Sequence, residues 1–474
     1  MRPNVLLVVL DTARRDVIEP YGAPDGSTPA IAELARRGSA LPSAYATASW
    51  TLPSHASMFT GLLPSALRLG QPPNGTPQAA RPALERVSHR LLPEVLRRAG
   101  YATCGWSTNV WASPLSGFDL GFDSHEFISA ASTRRIEALT ATGLRGQVAW
   151  ALEGLRGRED DGAAVVGRQL RASIGAWSER PTFWFANLSE CHSPYLPPRP
   201  WNQLDARGRV VSALEARKHL NFESICLSAA GSYRVPDEAL ARMRRLQQNA
   251  ASYLDHWLSD VLGALDRRGI LDQTLVIVTS DHGENFGEDG LLAHGFSVDE
   301  RLIHVPLVMA GPGAIAAERP FSLAELPRLV AAAAGLEDHP WASPQLPAGV
   351  VVAEYDAMAG PDDPRIQDFA KKWDLSDDSV SRLCASYRCA TDGHHKLVVR
   401  NRQELVFDLV TDPGETKPLA PSTANGSLGA LRAALEQTEP STAPAGAGAP
   451  PAAPQGSEEE LAAIERQMKL LGYM

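Results

Sequence analysis

Val5-Leu6-Leu7-Val8-Val9-Leu10 is an unbroken apolar run rich in branched side chains, and it ends on Asp11-Thr12. No polar residue alternates with the apolar ones, the pattern of a strand covered on both faces inside a parallel sheet. A carboxylate at the carboxyl end of such a strand stands where open α/β sheets bind their ligands. Taken alone, Asp11 reads equally well as a cap for Ala13-Arg14-Arg15. Two further runs repeat the arrangement. Thr182-Phe183-Trp184-Phe185-Ala186-Asn187-Leu188 delivers Glu190, Cys191 and His192, and Leu275-Val276-Ile277-Val278-Thr279-Ser280 delivers Asp281-His282-Gly283-Glu284. Buried strands that repeatedly end in metal-capable side chains point to one site at a shared sheet edge.

Around these strands the spacing predicts a helix over residues 30–37 behind Thr28-Pro29, and another over 91–99 closed by Gly100. A strand follows at 101–106, ahead of Asn109, and residues 129–180 read as mostly helical, broken by an exposed turn at 158–162. Residues 71–84, rich in Pro, Gly and Asn, read as a loop. A long helix is expected over 236–268, where Leu246, Ala250, Leu254, Trp257, Leu258, Val261 and Leu265 keep near-helical spacing. Later strands are expected at 350–353 and 389–399, the latter paired with 403–409 as a hairpin. The expected domains are a catalytic α/β body over 1–385, a small antiparallel subdomain over 386–439, a Pro/Ala/Gly-rich linker over 440–456, and a helix over 457–474 opened by a capping box at Ser457.

Ser49-Trp50-Thr51-Leu52-Pro53-Ser54-His55 leads into a short helix that Gly61 would close. Pro53 suits a first helical position, having no N–H to leave unpaired. Thr51 then lies at a helix N-terminus, where free N–H groups and the positive end of the dipole favour an alkoxide or a bound anionic ester.

With 474 residues, 44% of them hydrophobic, the chain can build a substantial core. Its 55 acidic and 45 basic residues give a net charge of −10, which points to no nucleic-acid partner and no acidic membrane surface. Cys104, Cys191, Cys226, Cys384 and Cys389 show no metal-ligand spacing and read as reduced thiols of a cytoplasmic protein. The first apolar run is too short for a secretory core, and no apolar segment is long enough to span a bilayer.

Taken in order, Asn4 to Asp11, Thr51 to Gly61, Gly100 to Asp123, His192-Ser193-Pro194-Tyr195, Thr279 to Gly290, Val305 to Gly311, Lys396, and Phe407-Asp408-Leu409 through Asp412-Pro413 resemble the sulfatase family of the alkaline phosphatase superfamily. The closing Leu471-Gly472-Tyr473 resembles the family's C-terminal tail. The resemblance implies an alkaline-phosphatase-like α/β sandwich with a large, mostly parallel sheet flanked by helices. It implies one divalent metal held by Asp11, Asp281, His282 and the nucleophile Thr51. His192 and Lys396 match positions that face the ester group, and His294 is a further candidate proton donor. Asn109 and His55 fall at substrate-binding positions.

The departures matter too. Thr51-Leu52-Pro53-Ser54-His55 stands where well-characterised sulfatases carry Cys or Ser, then x-Pro-x-Arg, so no formylglycine is expected. Asp11-Thr12 replaces an Asp-Asp pair, and Asn109 falls near a missing Lys. Two carboxylates, an imidazole and an alkoxide suit zinc or manganese better than calcium, which prefers an all-oxygen shell. A second zinc site would draw on Asp255, His294 and His304. The expected activity is hydrolysis of a small-molecule phosphate mono- or diester, ahead of sulfate. Rival readings are transfer of the group to a small acceptor, and a catalytically silent metal-binding homologue. Specificity for the alcohol would lie in loops 68–85 and 205–235.

Overall fold

The computed structural model describes residues 2–71, 77–129, 140–157, 159–343, 346–419 and 427–438. The expected linker and last helix lie outside these residues. Seven strands form the central sheet: β1 Asn4–Leu10, β2 Ser39–Ala40, β3 Ala102–Ser107, β4 Ser124–Phe127, β5 Thr182–Leu188, β6 Thr274–Thr279 and β7 Leu307–Ala310, in the spatial order β2-β7-β6-β1-β5-β3-β4. β1 runs parallel to both neighbours, with Val5 opposite Phe183 on one side and Leu275 on the other. β3 and β4 continue the parallel set, while β7 and β2 add an antiparallel edge.

The apolar runs behave as their composition demands. Val5, Leu7 and Val9 of β1 enter one core, together with Leu52, Ala56, Met58 and Phe59 of the helix Thr51–Thr60. Leu6, Val8 and Leu10 enter the other, under Ala250, Leu254, Trp257, Leu258 and Val261 of the helix Asp237–Arg267. Removing one such side chain from water contributes roughly 1.5–3 kcal/mol, so a sheet covered on both faces is strongly fixed in register. That register brings the ends of β1, β5 and β6 to one edge.

Three expectations need correction. Residues 205–235, expected as a loop, are largely the helices Ala206–His219 and Phe222–Ala229. Residues 77–86 are not loop: Pro77–Ala80 forms a 3-10 turn and Arg81–Arg86 a helix, with Pro82 in the first turn where a missing N–H costs nothing. The small sheet takes in more chain than residues 386 onward, because Val351–Tyr355 pairs antiparallel with Tyr387–Thr391. His395–Arg400 and Gln403–Asp408 complete it as a hairpin, and the helix Ser427–Gln437 packs on it through Leu428, Leu431 and Leu435. Among the described residues no helix is long and apolar enough to cross a membrane.

Candidate active site

Thr51 is the first residue of its helix, two positions earlier than the proline alone implies. Pro53 still falls in the first turn, where N–H groups have no helical partner. Trp50 before it is extended, and Gly61 ends the helix in the left-handed conformation with its N–H on Ser57 O. Thr51 Oγ1 lies 3.3 Å from His282 Nε2 and accepts from Asn109 Nδ2 at 3.3 Å.

Asp11 closes β1. Its Oδ2 accepts from Asn109 Nδ2 and Asn187 Nδ2, each at 2.9 Å, while its Oδ1 is buried without a hydrogen-bond partner. Asp281, just past β6, accepts at Oδ1 from the backbone N–H of Thr12 at 3.1 Å and of His282 at 3.0 Å. Thr12 reaches that position with a φ of 61°, a left-handed conformation that a β-branched residue rarely adopts. Asp281 Oδ2 has no hydrogen bond and lies 3.4 Å from both His55 Nδ1 and His282 Nε2. His282 Nδ1 is 2.9 Å from Gly283 O, which makes it the donor and turns the Nε2 lone pair to the carboxylates.

One ligand atom each from Asp11, Asp281 and His282 lie within 4.8 Å of one another, all three side chains fully buried. Burial raises both aspartates above the ordinary carboxylate range, and Asp281 pushes Asp11 further. Burial pushes His282 down to about 3, so its ring is neutral. Two anions facing each other with unsatisfied oxygens, beside a neutral imidazole, need a cation between them. This O, O, N donor set fits a divalent metal.

Beside the triad, His294 sits between two other imidazoles, its ring centroid 4.6 Å from His282 and 4.9 Å from His192. His294 Nδ1 lies 3.0 Å from Glu284 Oε1, and Glu284 Oε2 accepts from Tyr195 OH at 2.7 Å. Burial lifts Glu284 to about 7, against the pull of His192 and the Tyr195 bond, and lowers His294 to about 3. The two form a buried, hydrogen-bonded carboxyl–imidazole pair beside the triad. His192 Nδ1 is 2.9 Å from Ser193 O.

Two expected site residues are placed differently. His55 is wholly buried between the edges of Phe118 and Phe185, with Nδ1 3.0 Å from Thr51 O. It lies against Asp281 and the first helical turn, with Nε2 buried and without a hydrogen-bond partner. Lys396 donates to Val298 O at 2.6 Å and Glu300 Oε1 at 3.0 Å and pairs with Glu415 Oε1 at 2.8 Å, which fastens the small sheet to the body. Glu415 and Glu300 hold its ammonium well above the usual lysine range, against the effect of burial.

The second-metal candidates do not converge either. Asp255 accepts from the N–H groups of Ala30 and Ile31 at the start of the helix Pro29–Arg37, and His304 stacks on Tyr45 and pairs with Glu300. Sequence reading missed Asn187 and the Thr12 N–H, and gave Glu284 no role. The signal for Asn187 was an amide inside an otherwise apolar strand.

A buried O, O, N triad fit for a divalent metal thus stands at the carboxyl edge of a mostly parallel α/β sheet, with a helix-N-terminal hydroxyl beside it. The family profile described as Sulfatase matches residues 3–336, and the chain belongs to the sulfatase family. A choline-sulfatase of Rhizobium meliloti is 25% identical over 339 residues, which are 66% of this chain and 63% of that protein. The chain thus matches less than two thirds of that relative's length. An N-acetylgalactosamine-6-sulfatase of Sus scrofa is 37% identical over 108 residues, 21% of this chain and 20% of that one. A phosphonate monoester hydrolase of Silicibacter pomeroyi superposes with a TM-score of 0.64 at 20% identity, covering 92% of this chain and 94% of its own.

Proposed function

We propose that the chain is a metal-dependent hydrolase of a small-molecule phosphate or sulfate ester, phosphate mono- or diester before sulfate, with Thr51 as nucleophile. The observation that carries it is Thr51 Oγ1, 3.3 Å from both Asn109 Nδ2 and His282 Nε2 beside two carboxylates with unsatisfied oxygens. Asp11, Asp281, His282 and Thr51 would hold the ion, zinc or manganese before calcium; when bound it favours the deprotonated hydroxyl and neutralises charge on the ester's oxygens.

Thr51 Oγ attacks phosphorus or sulfur in line, the bond to the alcohol oxygen breaks, and the group remains on Thr51. Asn109 holds the attacking oxygen in place. The departing oxygen takes a proton from His192 or from the His294–Glu284 pair, and the same group accepts one from the water that then cleaves the Thr51 ester. Similarity to the choline-sulfatase supports the sulfate reading. The phosphonate monoester hydrolase neighbour and the threonine at the nucleophile position support the phosphoryl one. Five unpaired cysteines support a reducing, cytoplasmic setting.

The test is metal content together with product release from an aryl phosphate monoester, a phosphodiester and a sulfate, on wild type and Thr51→Ala. The expected result is a stoichiometric divalent metal and release of one product that Thr51→Ala abolishes while fold and metal content persist. Full turnover by Thr51→Ala would remove the assignment. A metal-bearing protein inert toward all three substrates would favour transfer to an acceptor.

A further inference from the structure

Between the small sheet and the body lies a cavity of about 540 Å³, a size typical of small-molecule sites. Val398, Leu405 and Phe407 of the sheet and Phe296 of the body give it apolar walls. The helix Ser427–Gln437 packs on the other face of the sheet, where Leu397 and Val406 alternate with Val398 and Leu405. No residue of the metal triad or of the histidine cluster beside it lines the cavity. Three guanidinium groups do, and they differ. Arg301 is engaged, donating to Asp299 Oδ1 at 3.0 Å and to Gly414 O at 2.9 Å. Arg382 and Arg400, both half-buried, carry no ion pair and no side-chain hydrogen bond among the described residues. Arg400 stands over the ring of Tyr387, its cross-strand partner, 5.8 Å from the centroid.

Burial raises the Tyr387 phenol, and Arg400 and Arg382 both pull it back, so the two charges lie near its hydroxyl, which has no hydrogen-bond partner among the described residues. The carboxylates of the lining are mostly spoken for. Glu288 is paired with Arg14, Asp299 with Arg301 and Glu415 with Lys396, which leaves the exposed Asp289 against two free guanidinium groups. Cations drawn out of water without a partner cost solvation that a bound anion restores. We propose that this cavity is a second binding site, separate from the metal centre, for a small organic anion made of one oxyanion group on an apolar body. Arg382 and Arg400 hold the oxyanion, whose geometry matches the guanidinium fork, and the Tyr387 hydroxyl donates to it. The body lies against Val398, Leu405, Phe407 and Phe296. Asp289 at the rim and the net charge of −10 favour a single anionic group over a polyanion. Because no metal-site residue lines the cavity, its occupancy does not depend on the ion.

The experiment is calorimetric titration of the full, metal-loaded chain with phenylphosphonate, and with inorganic phosphate and benzyl alcohol, which carry the anionic group and the apolar body separately. It is repeated on Arg382→Gln/Arg400→Gln, on Leu405→Glu, which adds a carboxylate to the wall, and on Asp11→Asn, which impairs the metal triad. Each variant is checked for wild-type circular dichroism. Wild type should bind phenylphosphonate at a site that Arg382→Gln/Arg400→Gln and Leu405→Glu each weaken about tenfold or more and that Asp11→Asn retains. Inorganic phosphate and benzyl alcohol should each bind there about tenfold or more weakly than phenylphosphonate. No binding by wild type at millimolar phenylphosphonate, or binding that Arg382→Gln/Arg400→Gln retains in full, overturns the proposal. So does loss of all binding in Asp11→Asn, which would put the probe on the metal centre. Inorganic phosphate binding as tightly as phenylphosphonate would overturn it as well, because the apolar walls would then contribute nothing.

Discussion

Asn109 serves two acceptors with one amide, Asp11 Oδ2 at 2.9 Å and Thr51 Oγ1 at 3.3 Å. Asn109→Ala frees Thr51 Oγ1 to rotate and leaves Asp11 with Asn187 alone; if Thr51 is the nucleophile, kcat should fall by about 10²-fold, the usual effect of removing one preorganised donor. A kcat within a few-fold of wild type, measured with metal content unchanged, would take Asn109 out of the site. Glu284 is argued from the other end of the reaction. If the His294–Glu284 pair protonates the departing oxygen, Glu284→Gln should cost about 10²-fold in kcat/KM on an alkyl ester and much less on a nitrophenyl ester, whose leaving group needs no proton. Equal losses on both substrates would reduce Glu284 to scaffolding. Asp11, Asp281 and His282 follow apolar strand runs and Thr51 opens a helix, so local pattern put them at the sheet edge and the helix start, while the roles expected of them came from the family resemblance. The setting of His55 was not legible, because its surroundings come from Phe118 and Phe185, remote in the chain.

Among the elements, the run 389–399, expected as one strand, folds into two antiparallel ones, Tyr387–Thr391 and His395–Arg400, joined at residues 392–394. Its strand character was plain in the sequence, yet the partners of Lys396 are Glu300, near β7, and Glu415, beyond the hairpin, and no periodicity announces such a meeting. The consequence is structural. Burial alone would raise Glu300, but the Lys396 ammonium and His304 outweigh it and hold its carboxyl down at about 2. A depressed carboxylate contributes stability that is present above its unfolded value, near 4.5, and is lost as pH falls through about 2. Lys396→Met leaves Glu415 buried without its counter-ion and Glu300 with His304 alone, and should destabilise the protein by about 3–5 kcal/mol in urea unfolding. It should also flatten the fall of the urea midpoint on the acid side. A small loss with the acid limb intact would mean that the small sheet is held by its apolar face.

For the whole molecule, the sheet edge gathers anions that the fold by itself does not balance. β1 and β6 each bring an aspartate to one point; burial raises both, and Asp281 raises Asp11 further. A group raised in the folded state contributes stability that is present below its unfolded pKa and lost as pH rises through its folded one. These two carboxylates therefore weaken the metal-free protein progressively from acid toward neutral pH. A bound divalent ion reverses this by keeping both ionised, and it must displace their protons to do so. Its stabilisation follows mass action, about 2.7 kcal/mol at a hundredfold excess over Kd. The melting temperature of metal-loaded protein should thus exceed that of chelator-treated protein by several degrees at mildly alkaline pH, with the gap closing as the pH is lowered into the range where Asp11 and Asp281 take up protons. His282, pushed down to about 3 by burial, stays neutral through most of that range and contributes little to the closing. Asp11→Asn should cut the gap at every pH, because one negative ligand is gone and one proton fewer is displaced. A gap that keeps its size from alkaline to acid pH would mean that the ion's affinity is not linked to these carboxylates, and the triad would no longer be its site.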